Sequence, residues 1–183
     1  TSATTNQSAL ASAVLNAANG IDADLTNAST ANGFTISATA NTLASTLKGS
    51  SQQDSITGGT ADDSLIGNAG DDTINMSSGG SDTVVGGAGN DTMVVFANSA
   101  LDSIDGGTGT DVISISTAGA ARTNVFAFDR ISNLNTITTV SGNTSAVTFA
   151  AITETTAQNV AFTAGIQAAT ITNNANSSTT TFN

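Results

Sequence analysis

The sequence predicts an all-β fold, a parallel β-roll or β-solenoid flanked by further solenoid-like strands, on three observations. Between Gly49 and Ser114 one nine-residue unit recurs seven times, with Asp54, Asp63, Asp72, Asp82, Asp91, Asp102 and Asp111 at its sixth position. Two residues after each aspartate stands an apolar one: Ile56, Leu65, Ile74, Val84, Met93, Ile104 and Ile113. The 183 residues include no proline, as expected where every coil donates its backbone N–H groups to the next. A glycine-rich nonapeptide with one inward apolar residue is the mark of stacked β-coils.

The most regular copy is Gly86-Gly87-Ala88-Gly89-Asn90-Asp91-Thr92-Met93-Val94. Its first six residues must turn and its last three can form a short strand. Glycines at positions one, two and four are expected to permit positive φ and to let backbone carbonyls converge. The apolar residue at position eight points inward between polar neighbours such as Ser64, Thr73 and Asn75, the period of two that a strand requires. Two copies make one coil, so turns alternate between two edges. Asp54, Asp72, Asp91 and Asp111 fall on one edge, and Asp63, Asp82 and Asp102 on the other.

Stacked coils lie about 4.8 Å apart. At that separation two carboxylates repel by about 3.5 kcal/mol at an effective dielectric near 20, and by about 0.9 kcal/mol in water. A column of aspartates at strand spacing therefore opposes its own assembly unless cations lie between the coils. Carboxylate and carbonyl oxygens, in a chain without cysteine or histidine, select calcium over zinc or copper. Magnesium, which demands a tighter octahedron, fits less well. The gaps between like turns predict about three to five ions.

The stretch from Gly49 to Ser114 resembles the repeat-in-toxin (RTX) family of secreted bacterial proteins, whose parallel β-roll binds calcium between turns. The resemblance implies that carbonyls of positions one, three and five face one neighbouring turn. On this chain those are Gly58, Thr60, Asp62; Gly67, Ala69, Asp71; Gly86, Ala88, Asn90; and Gly106, Thr108, Thr110. It implies that positions two and four, with the aspartate, face the other neighbour. Those are Gly59, Asp63; Gly70, Asp72; Gly80, Asp82; Gly87, Gly89, Asp91; and Gly107, Gly109, Asp111.

Departures from the unit are informative. The copy from Gly49 to Thr57 keeps one glycine and places Gln52-Gln53 in its turn. Met76 reads as an insertion before the copy holding Asp82, and Val95-Phe96 as another before the copy holding Asp102, which has no turn glycine. Calcium is expected to be weak or absent at Asp54 and Asp102, and best held around Asp63, Asp72 and Asp91.

Three segments follow. Residues 1–48, rich in Ala, Ser and Thr, read as solenoid strands with at most one short helix over Ala9–Leu15, ended near Asn19-Gly20. Phe34–Ala38 and Ser45–Lys48 alternate like strands, and Asp22 and Asp24 read as a solvated turn rather than further ligands. Residues 49–114 form the nonapeptide roll. Residues 115–183, rich in Thr, Asn and Val, alternate at 125–128, 135–140, 146–149, 159–162 and 169–172, as a metal-free β-solenoid or a β-sandwich. Without an initiator methionine, and ending on Thr181-Phe182-Asn183, the chain reads as a segment of a longer one.

Net charge is −11, and ten of the fourteen acids fall between Asp54 and Asp111, while the bases are Lys48, Arg122 and Arg130. Such a surface has no electrostatic route to nucleic acid. No stretch of eighteen apolar residues could span a membrane as a helix. Without histidine or cysteine, triad hydrolysis, zinc proteolysis and thiol chemistry lack a required partner, and the acids are committed to turns, so no enzyme is expected. The Thr/Ser/Asn/Ala/Val-rich composition, free of Tyr and Trp, resembles bacterial surface-layer proteins of the RTX type. That resemblance implies a secreted, cell-surface structural protein that assembles with copies of itself, with lipopolysaccharide as a possible anchor. The alternative is the RTX carrier module of a type I-secreted hydrolase or toxin. The 69 residues of strand pattern after Ser114 favour the first, because RTX enzymes end soon after their repeats.

Overall fold

The computed structural model describes residues 13–17, 19–20, 22–28, 32–76, 79–95, 102–115, 124–127, 131–134, 136–139, 147–150, 161–162 and 169–171. All regular structure among them is strand. One sheet stacks β1 (Ala13–Asn16), β3 (Phe34–Ser37), β5 (Ser55–Thr57), β7 (Thr73–Asn75), β9 (Thr92–Val95), β11 (Val112–Ile115), β14 (Thr136–Thr139) and β16 (Ala161–Phe162). A second stacks β2 (Ala23–Asp24), β4 (Thr46–Lys48), β6 (Ser64–Ala69), β8 (Thr83–Ala88), β10 (Ser103–Thr108) and β13 (Ile131–Ser132). The chain passes from one sheet to the other at each turn, so a coil is one strand from each.

Every pairing is parallel, and the register places like positions of the unit in columns. Ile36, Ile56, Ile74, Met93 and Ile113 form one inward column and Leu47, Leu65, Val84 and Ile104 the facing one. Each of these side chains is at most 1% exposed. All seven position-eight residues thus close a thin core between two sheets.

The residues that break the nine-residue count belong to this core. Met76 and Val95 are 1% and 0% exposed, and they prolong a second inward column that begins at Ala38 and passes through Gly58. Main-chain bonds hold the column: Ala38 N–H donates to Thr57 O, Gly58 N–H to Asn75 O and Met76 N–H to Val94 O. Met76 and Val95 are insertions, as the count predicts, and both are core residues. They lengthen the coil while filling it, and the position-eight spacing grows from 56→74 to 74→93 to 93→113. Phe96 lies outside the described residues.

The flanks continue the coil. Ala13–Asn16, the end of the segment expected to be helical, is strand β1 paired with β3. The reason is tertiary: parallel main-chain bonding to Phe34–Ser37 outweighs the weak helical preference of so short a run. Residues 9–12 lie outside the described ones. Beyond Ile115 a third parallel sheet appears, of β12 (Asn124–Ala127), β15 (Val147–Ala150) and β17 (Ala169–Ile171). The stretch from β12 through β13 to β14 places one strand in each of the three sheets. All described pairing in this region is parallel, as a solenoid requires and an antiparallel sandwich does not.

Candidate metal centre

The aspartates occupy the two edges as the period demands. Turns 49–54, 67–72, 86–91 and 106–111 lead from the smaller sheet into the larger one, and turns 58–63 and 79–82 lead back. Asp54, Asp63, Asp72, Asp82, Asp91, Asp102 and Asp111 are all buried, none more than 6% exposed.

One bond recurs down both edges. The backbone N–H of each aspartate donates to Oδ1 of the aspartate one coil later: Asp54 to Asp72 (2.7 Å), Asp72 to Asp91 (2.8 Å) and Asp91 to Asp111 (2.8 Å). On the opposite edge Asp63 donates to Asp82 and Asp82 to Asp102, both at 2.9 Å. Two positions without an aspartate enter the same ladder, because Phe34 N–H meets Asp54 Oδ1 (2.5 Å) and Ser45 N–H meets Asp63 Oδ1 (2.8 Å). The repeat phase carried back one unit from Asp54 lands on Ser45, a signal that counting aspartates alone misses.

The second carboxylate oxygen divides the turns into two kinds. Asp54 Oδ2 accepts from Ser50 N–H (2.5 Å) and Ser50 Oγ–H (3.0 Å), and Asp63 Oδ2 accepts from Gly59 N–H (2.6 Å). In contrast, Oδ2 of Asp72 and of Asp91 is buried without any hydrogen-bond donor. The backbone explains the division. Position two has positive φ at Asn68 (80°) and Gly87 (118°), whereas Ser50 and Gly59 do not. Only the latter conformation points the N–H at the carboxylate.

Position one behaves differently from expectation: Gly67, Gly86 and Gly106 do not have positive φ. Glycine is required there by proximity. A Cβ on Gly67 would stand 2.3 Å from Asp72 Oδ2 and 2.4 Å from the Gly86 carbonyl oxygen; one on Gly86 would stand 2.4 Å from both Asp91 Oδ2 and Gly106 O. Gly70, Gly89 and Gly109 at position four do have positive φ, as does Gly80. Their Cα atoms press on the carbonyls of the previous coil, with Gly70 O 2.2 Å from a Cβ on Gly89 and Gly89 O 1.9 Å from one on Gly109. The carbonyl oxygens of Gly86 and Gly106 at position one therefore lie beside the orphaned carboxylate oxygens, and further carbonyls stack at positions two and four.

Position five forms a second, exposed ladder. Asn90 N–H and Nδ2–H donate to Asp71 Oδ1 (2.8 and 3.2 Å), Thr110 N–H to Asn90 Oδ1 (2.9 Å) and Ser81 N–H to Asp62 Oδ1 (2.8 Å). The side chains of Asp62, Asp71 and Asn90 are thus engaged with the neighbouring coil. Thr60, Ala69, Ala88 and Thr108 lie along the rims of the turns. Asp22 and Asp24 stand apart and exposed, bonded to Thr46 N–H and to Lys48 (3.3 Å) respectively.

The electrostatics match this geometry. Burial pushes the Asp72 carboxyl up to about 7, against the opposing pull of the Asp54 N–H and with help from the charges of Asp54 and Asp91. Burial likewise drives Asp82 up to about 7, and raises Asp91 and Asp111. Among the described residues no three acids converge, so a cation here must draw on backbone oxygens. The residues fit calcium: all donors are oxygen, a buried carboxylate oxygen awaits a partner, and glycine leaves the space. When bound, the ion supplies positive charge between the coils. The protein supplies carbonyls fixed by the ladder and one carboxylate oxygen per turn.

No curated protein and no solved structure matches the chain. Residues 40–75 and 94–114 match a family described as the RTX calcium-binding nonapeptide repeat, in four copies. The first stretch begins one unit before Gly49, at the turn that places Ser45 in the ladder. The match supports an RTX-family protein, in which a structural β-roll carries the calcium-binding repeats.

Proposed function

We propose that this chain is a calcium-gated structural segment of a secreted cell-surface protein that assembles with copies of itself into a surface layer. The orphaned Oδ2 atoms of Asp72 and Asp91 carry the calcium dependence: a buried carboxylate oxygen without a donor destabilises the coil until a cation reaches it. Folding and metal binding are then one event, with about three to five ions held in the gaps between like turns. Inside a cell calcium is scarce and the roll stays open; outside, it closes. Lipopolysaccharide or another cell-surface component is the proposed anchor.

The surface-layer reading is supported by parallel coils that continue on both sides of the repeat, up to β1 and on to β16 and β17. A second reading, the carrier module of a type I-secreted hydrolase or toxin, draws on the same calcium gate. Electron microscopy of the protein with and without calcium separates them. Ordered sheets that dissolve on chelation are expected; monodisperse particles at saturating calcium would reject assembly. For the ligands, Asp91→Ala should lower the calcium bound per chain by about one ion, counted by native mass spectrometry. An unchanged count would remove Asp91 from the ligand set.

A further inference from the structure

The division of the turns into two kinds has a direction along the roll. Asp54 and Asp63, the first aspartate on each edge, have both carboxylate oxygens satisfied by N–H donors. Asp72 and Asp91, further along, do not. The coils that precede Asp54 and Asp63 carry no ladder aspartate among their described residues: Phe34 and Ser45 stand in the place of one. Neutral amides tie their turns. Asn19 Oδ1 accepts from the N–H groups of Thr42 and Leu43, both at 2.9 Å, and Asn19 Nδ2 donates to Thr42 Oγ1. Asn41 Nδ2 donates to Ser45 Oγ (3.1 Å), and Asn41 O accepts from Thr60 N–H (3.0 Å).

We propose that the segment from β3 to β6 closes without metal and is the template onto which the calcium-requiring coils add, one after another, toward the C-terminus. Each new coil needs a formed neighbour because its aspartate Oδ1 must find the N–H of the coil before it. For Asp72 that neighbour is Asp54, whose own carboxylate is already satisfied. The roll therefore has a defined starting end. The proposal rests on the calcium-gated reading and gives it a polarity.

Hydrogen exchange of the whole chain in chelator, read by mass spectrometry, tests it. Peptides covering 34–66 should keep slow amides while those covering 73–115 exchange freely, and calcium should then protect 73–95 before 102–115. Free exchange throughout in chelator overturns the template and leaves calcium gating intact. Slow exchange throughout overturns both. Two substitutions give opposite signs in chelator. Asp54→Asn turns an acceptor into an amide facing the Ser50 N–H and should remove protection from 34–66. Asp72→Asn removes an unpartnered charge, keeps the Oδ1 acceptor, and should extend protection into 73–75. If both variants shift protection the same way, the two kinds of turn do not differ and the template is wrong.

Discussion

Gly87→Ala is expected to be among the most damaging single-methyl changes in the roll. Position two of that turn sits at φ 118°, and an added Cβ would lie 1.9 Å from the Asn68 carbonyl oxygen of the previous coil. Non-glycine residues in such conformations cost roughly 1–3 kcal/mol. The contact cannot be relieved by a side-chain rotation, because the opposing atom is backbone held by the sheet. Separating the two coils there would break the parallel bonding of β6 to β8 and widen the gap beside Asp91. A total loss of about 3–5 kcal/mol is expected, read as a fall in melting temperature at saturating calcium. Gly58→Ala is the control. Gly58 has no positive φ, and its Cβ would meet nothing nearer than Asp63 Oδ2 at 3.0 Å. Equal melting temperatures for the two variants would show that backbone conformation at position two is not what glycine supplies.

Acid should stand in for calcium. Asp72 and Asp82 have folded values of about 7 against an ordinary 3.8, chiefly because burial disfavours the charged form. A carboxyl whose value is raised by folding binds its proton more tightly in the folded state. Its stabilisation is fully present below pH 4 and is lost as pH rises through about 7. In chelator, β-signal in circular dichroism should therefore grow as pH falls from 8 to about 5, and melting temperature should rise with it. With calcium present the sign reverses, since protons compete for the same oxygens and the calcium midpoint should climb in acid. A metal-free spectrum identical at both pH values would mean that the buried carboxylates are not what holds the coils apart.

The sequence made the position-eight column visible because one apolar residue per unit is a period that composition alone does not produce. The two-edge arrangement followed from the same count. What the count hid lies one step further along the strand. Position one also faces inward, so Gly58, Met76 and Val95 share a column although two of them look like errors in the repeat. A solenoid accepts an extra residue wherever it can lengthen the coil and bury the side chain. Glycine at 67, 86 and 106 also serves another purpose than the expected one, since close approach on that edge, rather than positive φ, excludes a side chain. The split between capped and orphaned carboxylates could not be read either. It depends on φ at position two, where asparagine at 68 behaves like glycine at 87 and glycine at 59 does not. Short alternating runs after Ser114 named the strands, but alternation is silent on the partner, so the third sheet appears only with the register.

The opposed reach of the two side-chain ladders has a mechanical consequence. Sixth-position aspartates stretch back to the coil before them, whereas Asp62, Asp71 and Asn90 at the fifth position receive the coil after them. Each bend is thereby laced to both neighbours, and a load along the long axis must strain laces of both orientations together.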